Sequence, residues 1–219
     1  MKLSKLNLSI LIISVLVILD QVVKFWIKTH FVLGQEIHVL GNWFIIHFVE
    51  NNGMAFGFEF AGEYGKMFLS IFRIAAVIVM VWYLVRISKK ETPLGFMISL
   101  SLIIAGAFGN IIDSAFYGMW FDHSYGQVAS FLPEGGGYAG FLHGKVVDML
   151  YFPLISGQYP DWIPWAGGKE FIFFRPVFNI ADSSITVGIF AVLIFYRDFF
   201  IDNTGKKSER PAGETLADN

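Results

Sequence analysis

The sequence predicts an all-α membrane protein: four transmembrane helices with a small extracytoplasmic β-sheet and an interfacial helix. Composition, the spacing of apolar runs and the distribution of Lys and Arg predict it. Of 219 residues, 55% are hydrophobic and 16% charged, against roughly 45–50% and about 25% in ordinary soluble domains. The mean hydropathy is +0.57. A net charge of -2 argues against a nucleic-acid partner. The absence of cysteine excludes disulfides, thiolate metal sites and a cysteine nucleophile.

A hydrocarbon core of about 30 Å takes about 20 apolar residues in a helix. Four runs approach that length, about Leu6 to Ile27, Met67 to Ile87, Leu94 to Phe116 and Val177 to Tyr196. A cleaved signal peptide is the alternative for the first. No small-residue cleavage site follows it, however, and Phe25-Trp26-Ile27 prolongs the span. Nine Lys and Arg flank one side: Lys2, Lys5, Arg86, Lys89, Lys90, Arg197, Lys206, Lys207 and Arg210. The other side carries five: Lys28, Lys66, Lys145, Lys169 and Arg175. Positive charge accumulates on the cytoplasmic side, so both termini are expected there.

The outward segments then run from about Lys28 to Lys66 and from about Tyr117 to Arg175. Glu36 to Phe48 partly alternates apolar and polar residues around Gly41-Asn42, which predicts paired strands. Residues 55–67 suit an interfacial amphipathic helix, and Gly135 to Gly140 a flexible loop. Residues 1–200 read as one membrane domain, and the polar segment 201–219 as a disordered cytoplasmic tail.

Charged side chains within membrane spans are costly and call for a partner or a purpose. Asp20, Lys24, Arg73, Asp113 and Asp182 lie inside the runs or at their ends. Asp20 and Lys24, four apart on a helix, can form an ion pair. Arg73 can snorkel to the outer interface. Asn110 and Asp113, like Asn179 and Asp182, are three apart on one helical face near an outer end. A third acid, Asp148, lies in an apolar outer segment. Carboxylates that converge there would hold one proton between them, the working state of an aspartic protease. No H-E-x-x-H is present among the flanks of the five His, and neither G-x-S-x-G nor G-x-S-G occurs. A proton- or cation-coupled carrier using the same carboxylates is the reading from a different class. A lipid-handling protein without catalysis is a third.

The ordered motifs carry a family resemblance. Asp20 to Lys24 (DQVVK), Asn51 to Phe56 (NNGMAF), Gly106 to Asp113 (GAFGNIID), Val146 to Asp148 (VVD) and Phe178 to Asp182 (FNIAD) occur in that order. In this the chain resembles the bacterial lipoprotein signal peptidases (signal peptidase II), an intramembrane aspartic protease family. The resemblance implies a catalytic dyad of Asp148 and Asp182. It also implies substrate-binding or site-shaping roles for Asp20, Lys24, Asn51, Gly53, Asn110, Asp113, Asn179 and Ala181. No metal or cofactor is implied. The implied substrate is a diacylglyceryl-modified prolipoprotein, cut before its lipidated Cys, with a globomycin-type inhibitor. A monomer in the bacterial inner membrane, with its site near the outer face, is expected. The family's usual Arg after the third-helix acid is Ser114 here, and Arg175 is one substitute the sequence offers. The outer loops are longer than the family's compact form, and their Gly- and Trp-rich material suits headgroup anchoring better than a lid.

Overall fold

The computed structural model describes residues 3–52, 62–197 and 199. Helix α1 spans Lys5–His30, and its N-cap Ser4 accepts a hydrogen bond from the Asn7 amide at 3.1 Å. Helix α2 spans Gly62–Ser88 and α3 spans Leu94–Ile112. A π-helical turn at Asp113–Tyr117 and a short α4 at Gly118–Trp120 prolong α3. Helix α5 spans Ile180–Phe195. Among the described residues, three helices are long and apolar enough to cross a membrane: Lys5–His30, Gly65–Ser88 and Leu94–Trp120. With them the chain is a multi-pass membrane protein. The fourth expected span differs, because its helix begins only at Ile180 and has 16 residues. Val177 and Phe178 are instead strand, since their backbone groups pair with a neighbouring strand.

Helix α1 is turned inside out relative to a helix of a soluble bundle. In α1, Ile10, Leu11, Val15, Ile18 and Val22 are exposed, while Asp20, Lys24 and Lys28 are buried. The polar residues recur every four positions and form one inward stripe. In a bilayer the apolar residues meet acyl chains, and the stripe must find its partners inside the protein.

Helix α3 is the central element and packs most extensively on α5. Small residues allow this. A Cβ on Gly106 would run into the Ala181 carbonyl oxygen of α5, and one on Gly188 would stand 2.7 Å from the Ser99 oxygen. Small residues at such crossings let helix backbones touch, which is how helices associate where lipid supplies no hydrophobic drive.

Strands β1 (Glu36–Leu40) and β2 (Phe44–Asn51) form the expected hairpin, turning at Gly41 with φ +54°. The sheet is larger than expected. Strand β3 (Val146–Tyr151) pairs antiparallel with β2, bringing Val49 opposite Asp148 and Asn51 opposite Val146. Strands β4 (Ile155–Gln158) and β5 (Glu170–Phe173) make a separate hairpin. Strand β6 (Val177–Phe178) pairs with β3 and leads directly into α5, giving the order β1-β2-β3-β6. The fold is therefore mostly helical with a small sheet, as expected, though the sheet takes in β3 and β6 besides the hairpin.

Two further expectations change. Gly135 to Gly140 is tied down, with Tyr138 N–H donating to the Phe121 oxygen and Ala139 N–H to the Gly118 oxygen, both at 2.9 Å. Of the interfacial helix at 55–67, residues 62–67 belong to α2, and 55–61 lie outside the described residues. The tail 201–219 lies outside them too.

Lys28 and Lys145, read from sequence as loop charges, close a knot beside the sheet. Lys28 is fully buried, pairs with Glu50 and donates to Ser124 Oγ at 2.7 Å. Its ammonium also lies 5.0 Å from the Tyr138 ring centroid. Lys145 reaches the other Glu50 oxygen at 3.3 Å. The knot joins the end of α1, strand β2 and the start of β3.

Candidate active site

Where the sheet meets α3 and α5, the polar residues of four elements converge. Asn179, fully buried, is the N-cap of α5 and the hub. Its Oδ1 accepts from the Asp182 amide at 2.8 Å, and its own amide donates to Asp182 Oδ2 at 3.4 Å, a reciprocal capping box. Its Nδ2 donates to Asp148 Oδ1 at 2.7 Å and to Asn110 Oδ1 at 3.1 Å. One side chain thus ties the first turn of α5 to strand β3. The pairing of β6 with β3 makes this possible, because it sets the start of α5 beside Asp148.

Each carboxylate receives a second amide. Asn110 Nδ2 donates to Asp182 Oδ1 at 2.8 Å, and Asn51 Nδ2 to Asp148 Oδ2 at 3.3 Å. Asp148 is 3% exposed, on a strand stretch buried on both faces. Burial pushes its carboxyl up to about 7, and the nearby charge of Asp182 adds to the rise. Lys24 and the amides of Asn51 and Asn179 oppose it.

Behind the pair lies a buried ion network. Lys24 Nζ sits 2.9 Å from Asp20 Oδ2, 2.7 Å from Asp113 Oδ2 and 2.8 Å from Asn110 Oδ1. The expected i,i+4 pair is present, but Lys24 also bridges two helices. Asp20 Oδ1 accepts from the Ala181 amide at 3.0 Å, holding the first turn of α5 against α1. Asp113, at the π-helical turn, accepts from Gln21 at 2.8 Å. The turn matters here, because such turns re-aim side chains within a helix.

Of the residues singled out from sequence, Asp20, Lys24, Asn51, Asn110, Asp113, Asp148, Asn179, Ala181 and Asp182 fall in this one network. Gly53 lies outside the described residues. The sequence reading passed over Gln21 and Tyr117. Gln21 Nε2 contacts Asp20, Asp113 and the Gly109 oxygen, and its Oε1 accepts from Tyr117 Oη at 3.3 Å. A polar residue between Asp20 and Lys24 in an apolar run was the available signal. Arg73 of α2 is in electrostatic range of Asp182, Asp113 and Asp148 rather than being only a snorkelling charge. Arg175 is exposed in the β5–β6 link, and Ser114 Oγ donates to the Asn110 oxygen at 3.0 Å. The guanidinium near the acids therefore comes from α2.

Fold and site together define a polytopic membrane protein with a buried acid–amide cluster where its helices meet a small sheet. A family model described as Signal peptidase (SPase) II matches residues 12–198, and the chain belongs to that family. It is 52% identical over 206 residues to the lipoprotein signal peptidase of Porphyromonas gingivalis, covering 93% of this chain and 89% of that one. With the lipoprotein signal peptidase of Amoebophilus asiaticus the identity is 38%, over 81% and 72% of the two chains. Two solved structures described as bacterial membrane enzymes superpose with TM-scores of 0.54 each. They are 26% and 29% identical, over 94% of both chains and over 85% and 90% respectively.

Proposed function

We propose that residues 1–200 form an aspartic endopeptidase that removes the signal peptide from diacylglyceryl-modified prolipoproteins, cleaving before the lipidated Cys. The observation that carries the reading is Asn179, which binds Asp148 and Asp182 at once and holds the two acids as one electrostatically coupled unit. Two coupled carboxylates ionise in separated steps and share a proton in between. In that state one carboxylate takes a proton from water as its oxygen attacks the scissile carbonyl. The other gives its proton to the carbonyl oxygen, so a neutral tetrahedral diol forms. Collapse returns a proton to the leaving nitrogen and breaks the C–N bond. Asn51 and Asn110 orient the acids, while Asp20, Lys24 and Asp113 fix α1, α3 and α5 around them. The shared charge needs no external group, which suits a reaction without cofactor.

A site at the rim of the bundle would take the diacylglyceryl chains from the bilayer side and water from the other. With Lys and Arg concentrated at the opposite end, both termini would be cytoplasmic and the site near the outer face of the inner membrane. The protein would act as a monomer, and a globomycin-type cyclic lipopeptide would compete with substrate.

The test is reconstitution of the purified chain with a diacylglyceryl-modified prolipoprotein and an unmodified control, beside Asp148→Asn and Asp182→Asn. Cleavage of the lipidated substrate by the unaltered chain alone, insensitive to a chelator, is expected. A graded loss in either variant, or none, would reject the dyad, and no cleavage by the well-folded unaltered chain would direct attention to ion flux and lipid binding.

A further inference from the structure

We propose that the β4–β5 hairpin is a bilayer-interface anchor, seated through Trp162 and Trp165 in the headgroup region of an electrically neutral lipid surface. The hairpin belongs to a two-stranded sheet of its own, and such ribbons are marginal in water without a covering partner. Its tip is built to hold a shape. Tyr159 N–H donates to the Lys169 oxygen, Gly168 N–H to the Tyr159 oxygen and Gly167 N–H to the Ile163 oxygen, at 2.9, 3.0 and 2.9 Å. Yet the largest side chains that the tip displays are two indoles. Trp162 is 80% exposed and Trp165 is 92% exposed. Trp165 also holds a left-handed backbone at φ +64°, a costly conformation for a bulky residue. Its ring gains little within the chain in return.

Continuity and charge identify the occupant. The hairpin returns to the body through Phe174, which packs edge-on against Phe178 at 6.0 Å. From there an aromatic ladder crosses the sheet: Phe178 on Phe152 at 5.8 Å, Phe152 on Phe44 at 4.8 Å and Phe152 beside Trp43 at 6.2 Å. Phe178 immediately precedes the N-cap of α5, whose Val187, Phe190, Leu193 and Ile194 are exposed. The ladder therefore ends at the residue before the N-cap of α5, at the sheet end of a helix whose exposed face is apolar, the level where Trp and Tyr concentrate in membrane proteins. Between Pro153 and Pro176 the charges are Asp161, Glu170, Lys169 and Arg175, which cancel. Neutral headgroups fit this balance, and attraction to anionic lipid does not supply the contact.

The test reads fluorescence and is independent of whether the chain cleaves anything. The protein is placed in phosphatidylcholine vesicles carrying lipids brominated near the headgroup or deep in the chain. The difference between the unaltered chain and Trp162→Phe/Trp165→Phe isolates the two indoles, whose exposure makes the change harmless to folding. Blue-shifted difference emission, quenched more by shallow than by deep bromine and unchanged by high salt, is the expected result. Emission typical of indole in water, quenched by aqueous acrylamide, would overturn the anchor. Blue-shifted emission indifferent to both bromolipids would overturn it too, by assigning the hairpin's cover to protein.

Discussion

Replacing Asp148 by Asn should stabilise the fold while removing turnover, and the gain should depend on pH. Burial and the neighbouring Asp182 raise the Asp148 carboxyl from its ordinary 3.8 to about 7. Between those values the folded chain holds a proton that the unfolded chain has released, so the native state loses stability as pH rises. At about 1.4 kcal/mol per pH unit, the cost reaches about 4 kcal/mol above pH 7 and vanishes below about 4. An amide at this position keeps an acceptor for Asn179 but turns a donor toward Asn51, forfeiting a 3.3 Å contact worth about 1 kcal/mol. The variant should thus be more stable by about 3 kcal/mol at alkaline pH and by less than about 1 at about pH 5. Denaturation in bicelles at the two pH values measures this, since titrations of groups away from the Asp148–Asp182 pair cancel in the comparison. A variant no more stable than its parent at high pH, or a gap that does not shrink on acidification, would refute the reasoning.

Three other predictions follow from the same geometry. The alkaline limb of the kcat/KM profile should fall through about pH 7 as the shared proton is lost, and Asn51→Ala, which removes an amide that favours the charged form, should move that limb upward. Lys24→Met strands two buried carboxylates, Asp20 and Asp113, and should cost about 3–5 kcal/mol. Adding Asp113→Asn should recover part of the loss, read as thermal inactivation of the paired variants. Gly106→Ala drives a methyl into the Ala181 carbonyl and should cost about 1–3 kcal/mol. Because Ala181 adjoins Asp182, kcat should fall further than the melting temperature implies.

Parts of this architecture were open to reading in one dimension. The apolar runs announced α1, α2 and α3 because each is long enough to satisfy every backbone group within itself, which lipid demands. The β1–β2 hairpin was legible from alternation about Gly41. Strands β3 and β6 were not. In β3, residues Val146 to Met149 are buried on both faces, so no period of two appears, and β6 has two residues. The π-helical turn at Asp113 likewise leaves no trace in local composition.

The sequence by itself determined which residues are expensive: acids, amides and one lysine in apolar surroundings have to find one another, since lipid offers them no partner. Only the tertiary structure decided how they meet. The register of β3 against β2 and β6 carries Asp148 to Asn179, glycines of α3 admit the backbone of α5, and Lys24 spans α1 and α3. The contacts around the site join residues up to 161 positions apart, the separation of Asp20 and Ala181. Their geometry depends on strand pairing and helix approach, which no local pattern encodes.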